Sequence, residues 1–201
     1  MTRAVALLAA VLAAGLGGCR DGAKATARAT PATSAAPRAE GSLYTLPVTL
    51  TDQDGGKYGL DAFRGNPVFL GMFSGRCEGE CPIITTIKTA LSMLDDPAAA
   101  EMRVLLVSFD AGHDTPAALH AIVGERGLDR RWKLASAPDE QARELAAALG
   151  VHYRRLPDGT FSHESTVILL DRTGGVDARL DDASQPIDAL VQHASAIVAA
   201  R

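Results

Sequence analysis

Polar residues barely interrupt two short stretches of the chain, 66–74 (NPVFLGMFS) and 102–110 (MRVLLVSFD). Runs this short and this apolar predict buried strands. Behind the first, Ile83, Ile84, Ile87, Leu91 and Leu94 recur at helical spacing. Pro82 opens that helix, where its missing N–H would have had no partner. Behind the second, residues 115–127 read as a helix with Thr115 as N-cap and Gly127 near its end. Residues 132–136 form a short strand, 138–150 a helix closing at Gly150, and 151–155 another strand. Residues 165–180 read as a hairpin turning at Thr173-Gly174-Gly175, and 185–200 as a final helix. Ahead of them all, 46–63 places two short strands around Asp54-Gly55-Gly56, a turn that needs the positive φ glycine supplies. Strands alternating with helices, then a hairpin and a helix, describe an α/β domain: a central mixed sheet with helices on both faces.

A thioredoxin-like fold fits that order. The same reading stops at residue 43. Residues 1–18 carry one positive charge (Arg3), an apolar run of Ala, Val and Leu, then small residues before Cys19. That is the layout of a secretory signal, and it falls short of the roughly 20 apolar residues of a membrane span. Leu16-Gly17-Gly18-Cys19 has the form of a lipobox, which predicts lipidation of Cys19. Residues 19–42 are mostly Ala, Thr, Ser, Pro and Gly with no aromatic residue, a composition that predicts a disordered tether. Residues 43–201 remain as one folded domain.

Charge gives no sign of a nucleic-acid partner. The chain is formally −4, and in the tether Arg20, Lys24, Arg28 and Arg38 outnumber Asp21 and Glu40, so the folded domain is the acidic part. No basic stripe of the kind nucleic-acid binding requires is present. Export implies an oxidising compartment, where unprotected thiol pairs tend to become disulfides.

That makes the remaining two of the three cysteines, Cys77 and Cys81, informative. As a structural staple they would close a loop of about five residues, for about 2 kcal/mol. Cys81 precedes Pro82 at a helix start, where unpaired N–H groups favour a thiolate, and Arg76 acts likewise on Cys77. Glu78 and Glu80 oppose both. The spacing is one residue longer than the C-x-x-C redox motif. Leu70 fills the position where a peroxidase of the PxxxTxxC type has proline. Zinc would need four ligands, and there is no second cysteine pair and no histidine pair at ligand spacing. Two thiolates and one imidazole suit copper: thiolates favour Cu(I), and imidazole also accepts Cu(II). Spacing alone leaves the histidine open. His163, in a loop before a buried strand, and His113, in the loop after one, are the candidates; His120, His152 and His193 read as surface residues.

In its order of motifs the sequence resembles the Sco/SenC family. The motifs are LTDQDGGKYGLDAFRGNPVFLGMF, C-x-x-x-C-P at 77–82, VSFDAGHDTP, WKLAS, ALGVHYRRLPDG and SHESTVILLDRTGG, and they cover about 43–200. Members of that family are thioredoxin-fold copper chaperones that help assemble the dinuclear copper centre of cytochrome c oxidase. The resemblance implies copper binding by Cys77, Cys81 and His163. It departs in one place: the family commonly has proline after the first cysteine, where this chain has Glu78. Asp110 and Asp114 are expected in the surroundings of the metal, with the cap of the following helix as the alternative role for Asp114 or Thr115.

These readings imply a lipid-anchored domain in the cell envelope, in the periplasm or otherwise outside the cytoplasmic membrane. Its partners would be a copper-accepting oxidase subunit and a thioredoxin-like reductant that keeps the thiols reduced. Two rivals use the same cysteines. One is a thiol–disulfide oxidoreductase that reduces the acceptor's cysteines, the other a redox sensor whose disulfide state changes partner binding.

Overall fold

In a computed structural model the protein is described over residues 41–77 and 81–200. The signal, Cys19 and all but the end of the tether lie outside the described residues, as do Glu78, Gly79 and Glu80. Among the described residues no helix is long and apolar enough to cross a membrane.

The strands are β1 (Thr49–Asp52), β2 (Lys57–Gly59), β3 (Val68–Phe73), β4 (Arg103–Ser108), β5 (Trp132–Ser136), β6 (Tyr153–Arg155), β7 (Phe161–His163), β8 (Val167–Leu170) and β9 (Val176–Leu180). The helices are α1 (Pro82–Met93), α2 (Asp96–Glu101), α3 (Pro116–Glu125), α4 (Asp139–Leu149) and α5 (Asp188–Ala199). Seven strands form one sheet in the order β2-β1-β5-β4-β3-β8-β9, and β6 and β7 pair as a separate ribbon. β3, β4 and β5 run parallel, whereas β8 lies antiparallel to β3 with Gly71 opposite Val167. The mixed sheet is as the sequence predicts. Among the strands and α-helices, two are not read there: α2, a six-residue helix capped by Asp95, and β7.

The apolar runs are buried on both faces because alternate residues enter two cores. Phe69 and Phe73 of β3 join Ile83, Ile84, Ile87, Leu119 and Leu190 on one face, carried by α1, α3 and α5. Val68, Leu70 and Met72 join Ala142, Leu145 and Leu149 of α4 on the other. Each such isoleucine or leucine stabilises by about 1.5–3 kcal/mol. At Gly71 a Cβ would stand 2.3 Å from Ile83 Cδ1 and 3.1 Å from the Thr166 carbonyl oxygen. The missing side chain lets the start of α1 settle onto β3, and this fixes where Cys81 sits.

The topology also decides which loops meet. β3 and β4 finish at the same end of the sheet, and antiparallel β8 begins there. Residues 74–77, 109–115 and 164–166 are therefore neighbours, as expected where ligands bind at strand C-termini in α/β sheets.

Candidate metal centre

Cys77 and Cys81 both lie between β3 and α1. The Cys77 N–H donates to the Ser74 carbonyl at 3.3 Å. Cys81 is the N-cap of α1: its carbonyl accepts from Ile84 N at 3.0 Å and Thr85 N at 3.1 Å, and its side chain makes no cap bond. The Cys81 sulfur is thus left free to face Cys77. Cys81 is buried, Cys77 half-buried, and both are free thiols.

His163 comes from the other side. The sequence places it in a loop, but it is the last residue of β7, directly opposite Tyr153 of β6. Its ring lies 5.0 Å from that of Phe109, which stacks on Tyr153 at 4.6 Å. His163 Nδ1 is 3.2 Å from the Glu164 carbonyl oxygen. A carbonyl can only accept, so Nδ1 carries the proton and Nε2 is left for Cys77. Holding one ring nitrogen in this way is what orients an imidazole for a metal on the other.

The three side chains are linked through Cys77. Its sulfur accepts hydrogen bonds from the Cys81 thiol and from the His163 imidazole. Those two bonds, in that order, lower the Cys77 thiol to about 5 against the opposing effect of burial, with help from the Arg126 charge. Cys81 is pushed up instead, first because its proton serves Cys77 and then by burial. His163 is raised because its bond to Cys77 outweighs its desolvation. The outcome is a thiolate with a proton donor on each side. Among the described residues no three Cys, His, Asp or Glu side chains stand close enough to hold an ion as placed. The donors are therefore gathered by hydrogen bonds rather than at coordination distance, and a bound ion would replace the shared protons. Their chemistry, two sulfurs and an imidazole nitrogen, fits copper.

The SCO1/SenC family model matches residues 36–199. The chain belongs to the SCO1/SenC family. No curated protein matches it at significant similarity. Among solved structures it is similar to a SCO1/SenC family lipoprotein from Bacillus anthracis (18% identity, TM-score 0.66, covering 77% of this chain and 95% of that one). It is similar to Bradyrhizobium japonicum ScoI with copper bound (20% identity, TM-score 0.59, 76% and 96%). It is also similar to BsSco, described as a Sco-family cytochrome c oxidase assembly protein with a disulfide switch (19% identity, TM-score 0.66, 79% and 95%). At these identities the likeness establishes the thioredoxin-like fold.

In this SCO1/SenC domain the loop after β4 supports the thiols through Asp114, which the sequence offered both as a neighbour of the site and as a helix cap. Asp114 does not cap α3; Thr115 does, accepting from Ala118 N at 3.3 Å. Asp114 is instead wholly buried, and its carboxylate accepts the Gly75 N–H at 2.7 Å and the Ser108 hydroxyl, with His113 Nδ1 at 3.1 Å. A Cβ on Gly75 would stand 2.4 Å from that carboxylate. Gly75 and Asp114 are 39 residues apart, and only the parallel pairing of β3 with β4 joins them. Asp110 pairs with Arg76 at 3.1 Å, one residue from Cys77, and so stands behind the thiols rather than among them. His120, His152 and His193 contact Asp54, Glu164 and Asp177, and His113 contacts Asp114; none has Cys77 as its partner.

Proposed function

We propose that this protein is a copper-binding metallochaperone acting in assembly of the dinuclear copper centre of cytochrome c oxidase. The observation that carries the reading is the junction at Cys77, whose sulfur is bonded at once by the Cys81 thiol and the His163 imidazole. Family membership and a copper-bound ScoI neighbour support it. Copper is the cargo. Cys77 and Cys81 would bind Cu(I) as thiolates, and His163, fixed by Glu164, would supply the nitrogen that also tolerates Cu(II). Binding displaces the Cys81 proton and any proton on His163 Nε2. Release proceeds by ligand exchange, the acceptor's donors replacing His163 and then the thiolates. Lipidation of Cys19 would hold the domain at the membrane, outside the cytoplasm, within reach of an oxidase subunit.

The test is an anaerobic Cu(I) titration of the reduced protein against a competing chelator, beside His163→Ala. Tight one-to-one binding that His163→Ala weakens at least a hundredfold is the expected result. Weak binding, or binding indifferent to His163, sinks the reading.

A second reading is favoured by the asymmetry of the pair. A half-buried thiolate at Cys77 beside a buried, protonated Cys81 is the arrangement of an attacking and a resolving cysteine. Cys77 would attack an acceptor disulfide and release one thiolate. Cys81, losing its proton, would then displace the second and leave a Cys77–Cys81 disulfide. Two electrons pass to the acceptor, and a thioredoxin-like reductant must return them. Thiol exchange that persists in His163→Ala, without tight copper binding, would favour this reading.

A further inference from the structure

Beside the thiol–imidazole centre runs a groove of about 890 Å³. Its floor is aromatic: Phe109 lies 4.6 Å from Tyr153, stacked, and 4.9 Å from Phe161. Its rim is cationic, carrying Arg143 of α4 and Arg155 of β6. Among the described residues neither guanidinium meets a carboxylate, and Arg155 lies 5.6 Å over the Phe161 ring instead.

Of the two acids in the groove, Asp110 faces Arg76, while Asp139 sits exposed in the first turn of α4, so the two guanidiniums outnumber one unpaired carboxylate. His152, also on the rim, is engaged with Glu164. Two unpaired guanidiniums therefore dominate this face of a chain whose formal charge is −4. Such a local reversal of sign steers and selects an anionic partner, while the rest of the surface repels it. The groove is also continuous with the centre, because Phe109 touches the His163 ring and Tyr153 faces His163 across the ribbon.

We propose that this groove docks an acidic segment with an apolar or aromatic anchor, carried by the protein that exchanges copper or electrons with Cys77. The proposal rests on the reading of the site given above. The anchor packs on Phe109, Tyr153 and Phe161, the flanking carboxylates pair with Arg143 and Arg155, and the partner's thiols arrive beside His163.

The experiment uses the purified full chain and two thiol-free synthetic peptides. One has Glu and Asp around a Trp-Leu pair; the other has Lys at the acidic positions. Nitrogen–proton correlation spectra follow the titrations, with phosphatidylglycerol vesicles as a third arm. The acidic peptide should bind saturably, shift the amides of Phe109, Tyr153 and Phe161, and weaken as salt rises. Arg143→Glu with Arg155→Glu should lose at least about tenfold in peptide affinity while retaining Cu(I) binding. Cys77→Ser with Cys81→Ser should bind the peptide unchanged, so that failure of the groove and failure of the copper site are told apart. The proposal is overturned by absence of saturable binding, by equal binding of the lysine peptide, by shifts confined to other surfaces, or by vesicles displacing the peptide.

Discussion

The buried carboxylate of Asp114 holds the backbone N–H of Gly75 at 2.7 Å, tying the loop after β4 to the turn that carries Cys77. Because Asp114 also accepts the Ser108 hydroxyl, its loss strands two donors in the interior. Asp114→Ala should destabilise the domain by roughly 2–4 kcal/mol in urea unfolding. It should also weaken Cu(I) binding, by freeing the Cys77 turn. Unchanged stability would mean that water replaces the carboxylate.

Copper affinity should rise with pH. Cys81 is raised, so it is protonated at neutral pH and must lose that proton to bind; raised His163 must likewise be neutral. Competition titrations between pH 6 and 8 should show about a tenfold gain per pH unit for each proton displaced. A flat profile would show that neither proton competes with the ion.

Cys77 runs the other way. Lowered to about 5, it is a thiolate throughout the neutral range. Its alkylation by iodoacetamide should be nearly flat from pH 6 to 8 and fall as pH drops through about 5. In His163→Ala the falling limb should move to higher pH, because a donor to the thiolate has gone.

Arg126 should contribute to the same effect from a distance. Its guanidinium donates to the Cys77 carbonyl at 3.4 Å and its charge lowers both thiols. Arg126→Ala should shift the Cys77 alkylation profile upward in pH, by less than His163→Ala does. A larger shift than in His163→Ala would reassign the main source of thiolate stabilisation.

The sheet was legible because its strands are apolar runs and its helices carry caps and periodicity that local chemistry dictates. The Cys77–Cys81 turn was legible for the same reason, Pro82 marking the helix start. What spacing could not supply was long-range: the choice of His163 over His113 came from resemblance, and Asp114, legible as a neighbour of the site, gave no sign of its bond to Gly75. Asp114 and Thr115 both look like caps, and only the pairing of β3 with β4 sends one of them to Gly75. The β7 strand was missed because three residues, Phe161–His163, are too few to show alternation.

Phe109 links the ribbon to the sheet, touching Tyr153, Phe161 and His163. Phe109→Leu should cost about 1–2 kcal/mol. Its diagnostic effect should be faster hydrogen exchange at the β6–β7 amides, with little change in α1. Uniform acceleration would instead mean a global loss of stability.

That ribbon has two strands of three residues and is not hydrogen-bonded into the seven-stranded sheet. A pair of strands this short is marginal alone and keeps its place through ring contacts. The two sulfurs, by contrast, sit between β3, an inner strand of the sheet, and the start of α1. The centre is thus built like a vice with one fixed jaw and one sprung jaw, the nitrogen donor riding on the sprung side. We expect exchange at the ribbon to outpace that at the start of α1, and cargo to be surrendered from the imidazole first. In the proposed chaperone such a spring lets the nitrogen donor leave before the sulfurs do.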